Sequence, residues 1–183
     1  MHHGKVSYLE SAERRKAFSP EHLLDMIPLN ESDHMLDFGA GTGYFTIPAA
    51  KRLEGKVYVM DIDPDMLEMI NEKAVKAQLD HIVTVEGSIE ALPLPAGSID
   101  VVIASLVLHE IQPLAPLLKQ MRNVLKNNGY LICLELEPKK SSGHAPRITQ
   151  EGMKREMIEA GFEIKEVYEP ADSLYLVIAQ KAK

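Results

Sequence analysis

An apolar run, Met35-Leu36-Asp37-Phe38, breaks into three glycines at alternate positions, Gly39, Gly41 and Gly43, and a helix-like segment follows from Tyr44 to Leu53. A buried strand that turns into a helix through glycines brings main chain close to a ligand and aims unpaired N–H groups at it. The spacing also excludes one use of such a turn. The dinucleotide fingerprint G-x-G-x-x-G needs glycine at position 44, where this chain has Tyr44.

Strand and helix signals alternate along the rest of the chain, which predicts an α/β domain with a mostly parallel sheet. Helices are expected over 10–28, 43–53, from Asp63-Pro64 to about Gln78, over 113–125 and over 149–160. Asp63 suits a helix cap and Pro64 the first helical position. Strands are expected at 34–38, 56–61, 82–86, 99–105 and 130–136. Two β-like runs, 163–168 and 174–180, close the chain. About five residues separate them, too few for a helical crossover, so they should pair antiparallel. The expectation is one domain over 1–183, with residues 1–30 forming a helical segment that covers the ligand site. At 183 residues it would bury roughly 70% of its unfolded surface.

Composition excludes more than it identifies. Hydrophobic content of 45% and charged content of 26% suit a soluble globular chain, and no apolar run approaches a membrane span or a signal-peptide core. A single cysteine, Cys133, rules out a disulfide framework or a cysteine metal site, and a cytoplasmic location is expected. No Asp/Glu/His cluster has metal-ligand spacing, so no metal is expected. A net charge of −7 argues against nucleic acid as a partner. The sequence leaves the oligomeric state open.

Four segments, in order, carry a family resemblance. The first is Asp37-Phe38-Gly39-Ala40-Gly41-Thr42-Gly43. Then come Val57 to Asp63, Glu86 to Pro93, and Ile99 to Glu110. Together with Leu125-Lys126-Asn127-Asn128-Gly129 they resemble the class I S-adenosylmethionine-dependent methyltransferases, nearest the small type 11 group related to quinone-biosynthesis C-methyltransferases. The resemblance implies a doubly wound, Rossmann-like sheet of seven strands ending in an antiparallel C-terminal hairpin. It also implies S-adenosylmethionine as cofactor and S-adenosylhomocysteine as product.

By the same resemblance, Gly39, Ala40, Gly41, Thr42 and Gly43 approach the methionine and ribose portion of the cofactor, and Asp37 meets its ammonium group. Asp61 is the expected acceptor for the ribose hydroxyls. Asp63 competes for that role but is the better helix cap. Ile62 would flank the adenine. Ser88 stands where many relatives have an aspartate; its hydroxyl accepts a hydrogen bond more weakly than a carboxylate, or it caps a turn instead. The Ile89 N–H is a further adenine contact. Ser105 and Leu106, at the exit of the fourth strand, are candidate main-chain contacts.

His109 lies on that exit too. Histidine titrates near pH 6.5 when unperturbed, so His109 suits a general base, or else it orients a loop or binds the acceptor. His144 is a weaker candidate from the 137–148 loop. The expected function is methyl transfer to a small-molecule acceptor by in-line displacement. The rivals are an NAD-dependent oxidoreductase, which Tyr44 and the terminal hairpin oppose, and a non-catalytic cofactor-binding or partner module of the same fold.

Overall fold

The computed structural model describes residues 19–85, 92–138 and 146–182. Residues 1–18 of the expected N-terminal cover, Ser88, Ile89 and His144 lie outside them. The chain forms two compact units, Met1–Glu86 and Gly87–Lys183.

In the first unit, three short strands carry the apolar runs. β1 (Met35–Phe38) pairs in parallel with β2 (Val57–Met60), from Met35 opposite Val57 to Phe38 opposite Met60. β2 pairs in parallel with β3 (Ile82–Thr84). All four residues of β1 are buried, as expected of a parallel strand covered on both faces.

Of the helix expected over 10–28, residues 10–18 lie outside the described ones, and helix α1 runs over Pro20–Met26. Ser19 is extended at φ −86°, ψ 143°, and its side chain accepts from the His22 N–H. A residue before proline is pushed out of the helical region, and serine there becomes a cap, so a continuous helix cannot pass through Ser19-Pro20. Helix α2 (Thr46–Ala50) likewise begins three residues later than expected, because Gly43 sits at φ +80°. Helix α3 (Pro64–Ala77) follows its signals closely. The Asp63 carboxylate accepts from the Asp65 N–H at 3.0 Å, Pro64 opens the helix, and Gln78 closes it in the left-handed region. Met66, Ile70 and Ala74 form its buried face at helical spacing.

The second unit holds four strands. β4 (Ile99–Ser105) is parallel to β5 (Leu125–Leu136), and the register jumps from Ile99–Leu125 to Val101–Tyr130. The Asn127-Asn128-Gly129 turn is therefore a bulge inside β5 rather than a break before it, with Asn128 at φ 65°. Lys126 Nζ donates to Asp100 across this bulge at 2.7 Å, which gives Asp100 its structural role at the strand start. Helix α4 (Ala115–Val124) precedes β5, and helix α5 (Gln150–Glu159) follows it. α5 is capped by Thr149 and is followed by Gly161 at φ +90°. β6 (Phe162–Ala171) and β7 (Leu174–Lys181) form the terminal antiparallel hairpin. Their link is tighter than the sequence suggests, with Asp172 and Ser173 between the strands and Ser173 left-handed at φ 61°.

One sheet results, in the order β3-β2-β1-β4-β5-β7-β6. It is mostly parallel, with β7 antiparallel between β5 and β6. The first six residues of β7 are all buried.

Candidate functional site

In the first unit the glycine turn is tied to the carboxyl end of β2. The Gly39 and Ala40 N–H groups donate to the Met60 carbonyl at 2.8 and 3.1 Å. Gly39, Gly41 and Gly43 have φ of 68°, 54° and 80°, a left-handed region that is costly for residues with a Cβ. A Cβ on Gly43 would lie 2.9 Å from Ile70 Cγ1, so the turn also passes too close to α3 for a side chain. Tyr44 is buried and packs edge-on against Phe45, with ring centres 5.4 Å apart. The residue that breaks the dinucleotide spacing is thus part of the core.

Asp61 faces this turn. Its Oδ2 accepts from the Gly41 N–H at 2.7 Å and its Oδ1 from the Asp63 N–H at 2.9 Å. With Asp63 occupied as a helix cap, Asp61 is the carboxylate that the strand end presents to the turn. Asp37 is 2% exposed, and its Oδ2 accepts from the Thr46 hydroxyl at 2.6 Å. That bond braces the start of α2.

Thr42 is buried, its carbonyl accepts from Lys73 Nζ at 2.7 Å, and its hydroxyl has no partner among the described residues. A buried hydroxyl without a partner is uncommon and marks a place where a polar ligand group would restore the lost bond. Ile62 is 79% exposed, a large apolar surface beside a carboxylate. These residues fit an S-adenosyl cofactor: polar groups for its amino acid and ribose portions and an open apolar face for a flat ring.

In the second unit, the carboxyl end of β4 carries Ser105, whose buried hydroxyl has no partner among the described residues, and Leu106, left-handed at φ 56°. The Leu106 N–H donates to the Leu134 carbonyl at 2.8 Å. A single 3-10 turn, Leu108–Glu110, then places His109 in the interior at 6% exposure. Its Nδ1 lies 2.7 Å from Oε2 of Glu135, which is fully buried on β5, and its main-chain N–H donates to Oε1 at 3.3 Å. Its Nε2 lies 2.8 Å from Arg147 Nη1. A guanidinium only donates and a carboxylate only accepts, so the imidazole is neutral, with its proton on Nδ1. The Glu135 contact is therefore a hydrogen bond from a neutral ring rather than an ion pair. The nitrogen that a general base would use is occupied.

Arg147 is held by its own segment. The Tyr175 hydroxyl donates to the Ile148 carbonyl at 2.8 Å, and the Gln150 N–H donates to Glu137 Oε1 at 2.7 Å. Burial, and then the neighbouring Cys133, Glu135 and Glu137, push the Tyr175 hydroxyl far above its ordinary titration range. It stays a donor at any physiological pH. Tyr175→Phe is expected to cost about 1–2 kcal/mol in chemical denaturation, as the Ile148 carbonyl loses its donor. An unchanged unfolding midpoint would show that this bond does not hold the segment.

Glu135, Arg147 and Tyr175 were not singled out in the sequence. One signal was available: Glu135 is the only charged residue in the apolar stretch Leu131–Leu136. A carboxylate in such a run needs a partner.

The type 11 family described as "Methyltransferase domain" matches residues 36–133, more than half of the chain. The chain belongs to this methyltransferase-domain family. Over 131 residues it is 33% identical to the malonyl-[acyl-carrier protein] O-methyltransferase of a Marinomonas strain, covering 71% of this chain and 46% of that protein. Over 104 residues it is 36% identical to the ubiquinone/menaquinone biosynthesis C-methyltransferase UbiE of Nitrobacter hamburgensis, covering 55% of this chain and 41% of that protein. The matched region thus spans less than half the length of these two relatives. A solved structure of a SAM dependent methyltransferase from Aquifex aeolicus shares the fold over 98% of both chains, with a TM-score of 0.88 at 24% identity.

Proposed function

We propose that this chain is an S-adenosylmethionine-dependent methyltransferase acting on a small-molecule acceptor. The observation that carries the reading is the Asp61 carboxylate held against the glycine turn by the N–H of Gly41, the residue before Thr42, whose buried hydroxyl meets no partner among the described residues. Asp61 would hold the ribose hydroxyls, Asp37 and the Gly39–Gly43 turn the methionine portion, and Ile62 one face of the adenine. Ser105 and Leu106 belong to the second unit, and their assignment, like those of Ser88 and Ile89, rests on the family resemblance. When bound, the cofactor supplies a methyl carbon made electrophilic by its sulfonium. The chain's own part is to orient the acceptor and exclude water, which can account for most of the acceleration in such a displacement.

His109 fits orientation better than proton transfer, since Nδ1 serves Glu135 and Nε2 receives Arg147. The ubiquinone/menaquinone relative's name supports a small acceptor, the malonyl relative's names an acceptor carried on a protein, and the two differ in the atom methylated, carbon in one and oxygen in the other. Among the described residues no helix is long and apolar enough to cross a membrane, which is compatible with the cytoplasmic setting that this reading includes.

Calorimetric titration with S-adenosylmethionine, S-adenosylhomocysteine and NAD tests the reading. Binding of the first two without NAD is expected; tight NAD binding alone would overturn it. Asp61→Ala is expected to weaken S-adenosylhomocysteine binding about 10- to 100-fold, because hydrogen bonds to a charged acceptor are worth about 1.5–3 kcal/mol. Unchanged affinity would assign the ribose to another group.

A further inference from the structure

Arg147 is placed unlike an ordinary surface arginine. Nη1 is committed to His109 Nε2 at 2.8 Å and to the Pro146 carbonyl at 3.3 Å. The His109 ring is in turn fixed by Glu135, which is fully buried. Among the described residues, Nε and Nη2 meet no acceptor. That edge is the one with which a guanidinium binds a carboxylate or other oxyanion through two parallel hydrogen bonds.

Neutralising Glu135 does not account for the arrangement. An arginine serving that purpose would approach the carboxylate directly and spend its two-pronged edge there. Here an imidazole stands between the two, leaving the positive group oriented from behind and its binding edge unspent. The cluster also lies at the carboxyl ends of β4 and β5, the end of a parallel sheet where ligands bind, together with the unpartnered hydroxyl of Ser105.

We propose that Arg147 recognises the acceptor by an ionised oxygen, a carboxylate or a phenolate or enolate, with His109 and Glu135 as positioning residues. The inference rests on the methyltransferase reading above and deepens it by naming the acceptor class. It also accounts for the neutral, doubly engaged His109. An acceptor that arrives ionised at oxygen needs no base to make that oxygen nucleophilic.

The test uses the purified protein saturated with S-adenosylhomocysteine and titrated with benzoate and with 4-nitrophenolate, at a pH where both are ionised. Benzamide and 4-nitroanisole are the neutral counterparts. At least one anion is expected to bind, at least tenfold more tightly than its counterpart. Arg147→Met should weaken that binding about 10- to 100-fold, and Arg147→Lys should fall between, since lysine keeps the charge without the planar fork. S-adenosylhomocysteine affinity should stay within about twofold in both variants. Preference for benzoate identifies a carboxylate acceptor, and preference for 4-nitrophenolate a phenolate or enolate.

Three results overturn the inference: neutral and anionic probes binding alike, anion affinity unchanged in Arg147→Met, or no binding of either anion by the wild type. Each leaves the methyltransferase reading standing as long as S-adenosylhomocysteine binds. Failure of that binding rejects the reading itself.

Discussion

His109→Ala is expected to destabilise the protein by about 3 kcal/mol, the cost of leaving a buried carboxylate without its side-chain donor. Glu135 is fully buried, and among the described residues its two hydrogen bonds, at 2.7 and 3.3 Å, both come from His109. Alanine removes the Nδ1 donor and leaves the carboxylate facing a cavity. Arg147 loses the acceptor that orients it in the same change. Urea unfolding of His109→Leu, Glu135→Leu and the double variant separates the terms. The double variant should be more stable than His109→Leu alone, because replacing both partners of a buried polar pair with apolar groups costs less than stranding one. Strictly additive effects would show that the two residues do not act together. A fall in turnover in His109→Ala is therefore no proof of a base. His109→Gln is the cleaner probe, since its amide can still donate to Glu135.

What could be read from the sequence, and what could not, divides along physical lines. Local rules were legible. The alternate glycines announced the turn after β1, Asp63-Pro64 announced the start of α3, and the short link after residue 168 announced an antiparallel hairpin. Each depends on a few neighbouring residues and on backbone preferences that hold in any protein. The Ser19-Pro20 cap was equally local, yet the helix expected over 10–28 passes straight through it. The family resemblance then supplied roles for Asp37 and Asp61 that spacing alone does not specify.

The His109 cluster depends on pairing between distant segments. His109 and Glu135 are 26 residues apart, and they meet because β4 and β5 lie side by side in a register reset by the bulge at Asn128 and Gly129. Period-2 alternation gives no warning, because both faces of β5 are buried from Leu131 to Glu135. Arg147 comes from a stretch rich in Pro, Ser, Gly and Lys that reads as a loop. Its place is set by Tyr175, opposite Glu135 on the neighbouring strand. No rule confined to the 137–148 stretch could have found it.

Gly55→Ala carries a comparable effect on the fold, from a position that no motif marks. Its φ lies outside the left-handed region, so the constraint is space alone. An added Cβ would sit 2.1 Å from the Asp33 carbonyl oxygen and 2.8 Å from that of Ser32. Both are main chain and cannot rotate aside. The contact is tight because the Glu54 and Gly55 N–H groups both donate to the Glu31 carbonyl, at 2.6 and 3.2 Å. The same junction sets how β1 and β2 begin. The Met35 N–H donates to the Lys56 carbonyl at 3.0 Å, and the Lys56 N–H donates to His34 Nδ1 at 2.8 Å. Relieving the clash requires one of these turns to move, and overpacking against immovable neighbours costs about 3 kcal/mol or more. The damage should reach the opposite ends of the same strands, where Gly41 and Asp61 are joined. Thermal unfolding should show a lower midpoint, and calorimetry a weaker affinity for S-adenosylhomocysteine in the folded fraction. Wild-type stability would mean that the 30–34 turn yields freely and does not set the register of β1 and β2. Lost stability with intact affinity would confine the strain to the turn and uncouple it from the Asp61 end of β2.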